Sequence, residues 1–318
     1  MGGNIMDISY ATHTAWSNPG LFRRRLDELP LDPEGLADVL ENFMIHHDVV
    51  RLLQLGTPRY AMSDHNMRTV ERVLSTAFRR DRRSLLVPRD IPAYLHVSAR
   101  DFALMATSVF RSSGIEARIR VGFADYFRMG HWEDHWLCEY RTDCGWRLFD
   151  AQLGWRARQA LGIGFPIHDV PRSRFLSGGD LWLAIRAGEI KAANCGRYHS
   201  GIRGAWLPAA NILKDVAALC GIEPLPSDYW GVGEEFSRNK AVSVKAYEEL
   251  DCLARAFADT PRTPREARAL VAQFPWANPL DAKVSSDEAA VSEKQIITLS
   301  AWRHANPPVA VAQAAASR

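Results

Sequence analysis

The chain has 318 residues, 47% hydrophobic and 24% charged, with 39 Lys+Arg against 37 Asp+Glu, so it can bury a sizeable interior and carries almost no charge excess. That balance excludes an electrostatic case for a nucleic-acid partner or an anionic membrane surface. Five cysteines at 138, 144, 195, 220 and 252 are odd in number and lack metal-type pairing, which fits a reducing, cytoplasmic setting.

No run reaches the length of a membrane span, and the opening MGGNIMDISYATHTAW lacks a basic start followed by an apolar stretch, so neither a membrane partner nor a signal peptide is expected. The Met-Gly-Gly start also lacks the Ser or Thr at the sixth position that an acylation signal wants. Residues 1–94 read as a helical region. Leu21, Leu26 and Leu29, then Leu36, Val39, Leu40 and Phe43, fall at helical spacing, with Pro30, Pro33 and Gly35 at the boundary. His46-His47-Asp48 lies in this stretch. Adjacent residues on a helix point about 100° apart and cannot all serve one ion, so a helix-end or pocket-lining role is expected instead of a metal site. A short amphipathic helix follows over 67–78. A basic, Pro-punctuated connection covers 79–92, and its Arg79, Arg80, Arg82 and Arg83 read as a solvated face.

Residues 95–160 carry the strongest signals. Ser98-x-x-Asp101 is a capping box, in which the Ser98 hydroxyl accepts from the Asp101 N–H and the Asp101 carboxylate reaches back to the Ser98 N–H. A buried helix should start there and end at Gly114, with Phe102, Met105, Ala106, Val109 and Phe110 on one face. The period then changes to two. Ala117, Ile119, Val121 and Phe123 alternate with Glu116, Arg118, Arg120 and Gly122, which predicts a half-buried strand. Strands over 134–140 and 146–150, joined by a turn at 142–145, make an antiparallel hairpin. His135, Leu137 and Glu139 share one face of it and Trp136, Cys138 and Tyr140 the other. A helix packed on an antiparallel sheet is an α+β arrangement.

Residues 161–280 read as a mostly helical part of the same domain, with helices over 180–188, 208–220, 242–257 and from Thr263 to Phe274. Tyr247, Leu250, Ala254 and Phe257 form an inner stripe, while 166–176 is irregular and its Asp169, Arg172 and Arg174 read as surface charges. Residues 281–318 turn to Ala, Ser and Val without a sustained stripe and read as a flexible tail.

The chemistry this core suggests is acyl transfer. Such a site wants a nucleophile at a helix N-terminus, an imidazole within hydrogen-bond reach and a carboxylate to orient the ring. His135 and Asp150 can be cross-strand neighbours, and the helix start at 98–101 carries the partial positive charge that stabilises a thiolate. The third position is Ala99, a methyl group where the chemistry wants a thiol.

The runs A-R-D-F-A at 99–103, G-I-E-A-R-I-R-V-G-F-A, E-D-H-W-L-C-E-Y and W-R-L-F-D-A-Q-L together resemble the core of the transglutaminase-like superfamily, in particular a group of bacterial transglutaminase-like proteins. The likeness is dense over about sixty residues and extends more loosely through DVPRSRFLSGGDLWLAIRAGE and WLPAANILKDVAALCGIEPLPSDYWG. It implies a papain-like α+β core with added N- and C-terminal helices, no cofactor or metal, and a Cys-His-Asp triad in which Ala99 occupies the Cys position and His135 and Asp150 stand where the family's His and Asp fall. Its partners would be an acyl donor and an amine or water acceptor, with a carrier protein as one means of delivery. Members range over protein crosslinking, peptide hydrolysis, deglycosylation and amide formation in bacterial secondary metabolism, so membership does not name a substrate. The retained His135, Asp150 and capping box favour reading this chain as a Cys-to-Ala inactive form of such an enzyme. The alternative is a natural pseudoenzyme that binds its ligand in the same cleft.

Other residues suit the missing role less well. Ser98 is adjacent, but capping turns its hydroxyl toward its own helix. Cys138 faces the opposite side of the strand from His135, and Cys144 sits in the hairpin turn. The backbone N–H at 99 supplies one oxyanion donor whatever the side chain, and no second donor is placed. His131 and Trp132 are close enough in sequence to line a substrate cleft, as is Ser98. The pair His131 and His135 around Glu133 superficially matches a zinc hydrolase signature, but the Glu is displaced and the context is a strand.

Overall fold

The computed structural model describes residues 9–279, 282–286 and 295–298. The N-terminal part contains short helices α1 (Arg23–Leu26), α2 (Pro33–Leu40), α3 (His47–Leu52) and α4 (Val70–Arg80), with a three-residue strand β1 (Met44–His46) before α3 and β2 (Leu95–Val97) after α4. β1 and β2 pair in parallel, His46 opposite Val97, so the segment entering the capping box is anchored by the segment that carries the histidines. Thr69 caps α4 by accepting from the Arg72 N–H, which moves its start three residues beyond the expected Met67. The arginine cluster is not one solvated face. Arg80 turns inward onto the buried Asp64 at 2.6 Å, and Arg83 pairs with Asp81.

Helix α5 (Ala99–Ser112) is buried along its whole length. Ser98 and Asp101 close the capping box, and the Asp101 carboxylate accepts from both the Ser98 N–H and its hydroxyl at 2.9 Å. Gly114 sits at φ +76°, the left-handed conformation that stops a helix without Cβ strain. Strands β3 (Ala117–Ala124), β4 (Trp132–Thr142) and β5 (Gly145–Phe149) follow, with β3 and β5 both antiparallel to β4. Helix α6 (Trp155–Leu161) leads to β6 (Phe175–Ser177) and α7 (Gly178–Arg186), then to β7 (Cys195–Arg197) and β8 (Ile202–Arg203). The sheet order is β6-β3-β4-β7-β8, with β5 also bonded to β4. Helices α8 (Trp206–Leu219), α9 (Val232–Asn239), α10 (Ala246–Ala256) and α11 (Pro264–Val271) complete the body. The result is a mixed α/β fold built on a largely antiparallel sheet.

The strand β3 is buried at every position, a correction to its half-buried reading. One face, with Ile119, Val121 and Cys138 in register, meets α5, where the Thr107 hydroxyl donates to Cys138 Sγ. The other face, with Arg118, Arg120 and Glu139, is covered by α8. Its charges are neutralised internally: Glu139 receives Arg118 at 2.7 Å and Arg120 at 3.4 Å, and Arg120 also reaches Asp215 of α8 at 2.9 Å. Arg172 is exposed, as expected, and its guanidinium reaches from the surface to the buried Glu139 carboxylate at 2.6 Å. Alternation with charged residues therefore marks an ion-paired interior layer, not a solvated face.

The inner stripe of α10 holds: Leu250, Ala254 and Phe257 are buried, and Tyr247 stands edge-on to Trp182 of α7. Within the stretch read as a tail, strands β9 (Lys283–Ser286) and β10 (Gln295–Thr298) pair antiparallel, and the rest of 281–318 lies outside the described residues apart from Ala282. The Gln-Ile-Ile-Thr run is β-branched, which favours the strand that composition alone obscured. Among the described residues no helix is long and apolar enough to cross a membrane.

Burial would raise the Glu139 carboxyl, but Arg120, Arg118 and Arg172 outweigh it and hold it down to about 2. The unfolded group titrates near 4.5, so its contribution to stability is complete above that pH and is lost as pH falls toward about 2. Replacing Glu139 by Gln should cost about 3–5 kcal/mol in urea melts at pH 7, because two buried guanidinium groups lose their shared counter-charge. The gap between variant and parent should close as pH is lowered through that window.

Candidate active site

The far edge of β4 is shared by two strands. β5 pairs with Cys138 to Thr142, and β7 pairs in parallel with Trp132 and Glu133. Residues 134–137 lie between these ladders, and there the chain leaving β5 brings Asp150 against His135. His135 Nε2 is 2.8 Å from Asp150 Oδ2, with the ring 2% exposed and the carboxylate wholly buried. Opposite His135 on β3 is Gly122, where a Cβ would come within 2.1 Å of the Leu176 carbonyl oxygen of β6. Only a glycine lets β6 approach this closely.

Asp150 is held on three sides. The Tyr126 hydroxyl donates to the same Oδ2 at 2.6 Å, and the Gln152 N–H donates to Oδ1 at 3.0 Å. Burial, followed by the Asp150 charge, pushes the Tyr126 phenol well above its ordinary value, so it stays a protonated donor. Phe127 stacks edge-on to the His135 ring with centroids 4.7 Å apart. Nε2 is thereby committed to Asp150, which leaves Nδ1 as the nitrogen available for proton transfer to a bound group.

His135, Ser98 and Ala99 line one cavity of about 640 Å³, together with Phe102, Phe127 and Gln152. The first residue of α5 thus faces the same space as the imidazole of the His–Asp pair, and the methyl of Ala99 is nearly buried at 5% exposure. Ser98 lines the cavity, but its hydroxyl is committed to the Asp101 carboxylate of its own capping box. His131 and Trp132 are placed elsewhere: both line a second cavity of about 700 Å³, bounded also by Tyr126, Leu161 and Lys191. The two cavities share Leu161. Four positions of extended chain span roughly 13 Å, so His131 and His135 do not converge on one point. Cys138 is buried against α5 and its thiol is pushed up to about 12 by burial, while Cys144 is exposed in the turn.

Sequence reasoning missed several members of the site. Tyr126 lies in the loop after β3, where no motif marks it. The premise that His46, His47 and Asp48 lie on one helix is corrected, because His46 ends β1 and His47 opens α3. Their donor atoms come within 4.8 Å of one another and all three residues line the first cavity. The His46 Nδ1 accepts the Asp48 N–H, and Arg51 shares the Asp48 carboxylate at 3.2 Å, so these groups already have partners within the chain. Burial, then the neighbouring His47 and His135, drives His46 well below its ordinary value and keeps it neutral. Glu133 also lines this cavity; it receives the Tyr198 N–H at 3.1 Å and lies 3.2 Å from His131 Nε2.

Comparison of the chain with protein families, with curated proteins and with solved structures found no match.

Burial pushes the Glu133 carboxyl up to about 7, against the Tyr198 hydrogen bonds that oppose the shift. The folded chain then holds a proton that the unfolded chain releases near 4.5, so this residue makes stability fall as pH rises between those values. Glu133→Gln should flatten that decline in thermal melts and remove a carboxyl signal titrating near pH 7 from carbon-detected NMR of labelled protein. For Asp150, Tyr126→Phe should broaden the range of His135 ring orientations, read as a changed His135 imidazole resonance with little loss of helix content.

Proposed function

We propose that this chain is a transglutaminase-like thiol acyltransferase or amidase scaffold on a papain-like core, in the form that carries Ala99 where the nucleophilic Cys belongs. One observation carries the reading: the start of a capped, buried helix and a hydrogen-bonded His135–Asp150 pair open onto one cavity. Tyr126, which fixes Asp150 from a third direction, adds support because such restraint holds an imidazole in one tautomer and orientation.

With a thiol at position 99, the chemistry runs in two halves. His135 takes the thiol proton, and the thiolate attacks the acyl carbonyl of the donor. The resulting oxyanion is met by the backbone N–H at 99 and by the positive end of α5. Collapse releases the donor's amine or thiol, protonated by His135, and leaves a thioester on residue 99. An amine or water then gives its proton to His135 and attacks the thioester, releasing the new amide or acid and returning the thiol. Ala99 cannot begin this sequence. Loss of a triad nucleophile removes on the order of a million-fold in turnover, leaving a chain that binds its donor without consuming it.

Ala99→Cys should therefore gain an acyl adduct, visible by intact mass after incubation with thioester or activated-ester donors, while the Ala99 chain shows none. Adding His135→Gln to that variant should slow adduct formation by about a hundredfold or more. Absence of any adduct across amide, ester and thioester donors, with ligand binding retained, would identify a non-catalytic binding protein in place of an acyltransferase.

A further inference from the structure

The cavity that holds Ala99 and His135 has a mixed lining, in which α3 and α6 bring large apolar side chains alongside His47, Asp48 and Arg156. Its apolar lining includes Val49, Leu52, Leu53, Leu55, Ile91 and Leu161. Several of these are unusually open for large apolar side chains: Leu52 is 68% exposed, Leu53 58% and Ile91 56%. Single exposed leucines are ordinary, but a set of them lining the same cavity as Ala99 and His135 is suited to hold an apolar ligand. The backbone contributes to the arrangement. Gln54 sits at φ +52°, a left-handed conformation that L residues rarely adopt, and it turns the chain between Leu53 and Leu55 so that both line the cavity with Leu52.

We propose that the ligand of this cavity is an acyl compound with an unbranched apolar chain of medium to long length. Its chain lies along the wall of α3, Ile91 and α6, and its carbonyl lies at the Ala99 end. The proposal rests on the acyl-transfer reading for the position of the carbonyl, but the chain-binding wall stands on its own residues. A peptide donor would bring an amide N–H and C=O to the wall every few atoms. These six side chains offer no hydrogen-bonding group, and the polar residues that line the cavity from the same helices are engaged within the chain, His47 with the Val97 carbonyl, Asp48 with Arg51 and Arg156 with Glu41, so an amide held along this wall gains little in return for its water. A hydrocarbon chain loses nothing there and gains with each methylene removed from water. At the other end, the N–H groups opening α5 and the His135 ring suit the single polar group that an acyl chain carries.

The test uses the chain as it stands, which binds without turnover, and N-acetylcysteamine thioesters of butanoic, octanoic and dodecanoic acid. Affinity measured by calorimetry should rise roughly three- to fourfold per methylene over the range in which the chain meets the wall. Leu52→Asp combined with Leu53→Asp, both at exposed positions, should abolish that dependence, while circular dichroism shows that the fold is kept. Affinity independent of chain length, or tighter binding of an extended hydrophobic peptide, would overturn the proposal. The Ala99→Cys variant separates the two readings. Adducts formed equally well from butanoyl and dodecanoyl thioesters keep acyl transfer and reject the apolar-chain site. Length-dependent binding with no adduct from any donor keeps the site and rejects acyl transfer.

Discussion

Glu139 and Asp215 hold two arginines of β3 inside the protein, and the covering of the sheet on its second face depends on that pairing. An uncompensated guanidinium in this layer would cost several kcal/mol. With the charges matched, α5 packs on one face and α8 on the other, and β3 and β4 become fixed from both sides. Asp134 adds to the constraint at the start of β4. Its carboxylate is buried, receives Asn211 of α8 at 2.7 Å and pairs with Arg197 of β7 at 2.7 Å. His135 is the next residue, so its position is inherited from an ionic framework that takes no part in chemistry.

The second determinant is topological. β4 is long enough to serve β5 at one end and β7 at the other, and the unladdered interval between them is where backbone order leaves space. Asp150 enters that interval from the end of β5 and finds His135 without any loop having to be held in a special conformation. Tyr126 and the Gln152 N–H then saturate the carboxylate. A buried carboxylate with three hydrogen-bonding partners is satisfied and immobile, which is what an orienting residue requires.

Much of this was legible in the sequence, and the reason is local. The helix from Ala99 announced itself through the Ser98–Asp101 box and Gly114, and the β4–β5 hairpin through a change of period and a four-residue turn. These features are encoded within a few residues of where they act. What was not legible depends on distant chain. β1, β6, β7 and β8 have two or three residues each, too few to show a period, and they exist because a neighbour offers a ladder. The arginines of β3 read as solvent-facing because alternation cannot tell water from an opposing helix that brings Asp215. Tyr126 carries no motif, and its role becomes visible only when Asp150 is placed 24 positions later. His46 reads as helical because the three-residue strand that it ends leaves no mark in the sequence.

The energetic character of the site bears on what Ala99 means. His135, Asp150 and Tyr126 are polar, buried and mutually hydrogen-bonded, an arrangement that well-packed apolar residues would commonly match or exceed in stability. The fold has no evident need of them, since the core is carried by α5, α8 and the sheet, while the ionic layer lies farther along β4. Their presence beside a helix start that would stabilise a thiolate is economical only if proton transfer at that point was once, or is elsewhere, of use. Replacing a thiol by a methyl removes one atom from such a site and leaves every other element standing. A binding protein shaped for its ligand alone would have no reason to hold an imidazole against a carboxylate fixed from three directions. The intact pair therefore supports the proposal that Ala99 is a substitution in a catalytic scaffold, and the apolar side chains in the same cavity are the basis for the ligand proposed for it.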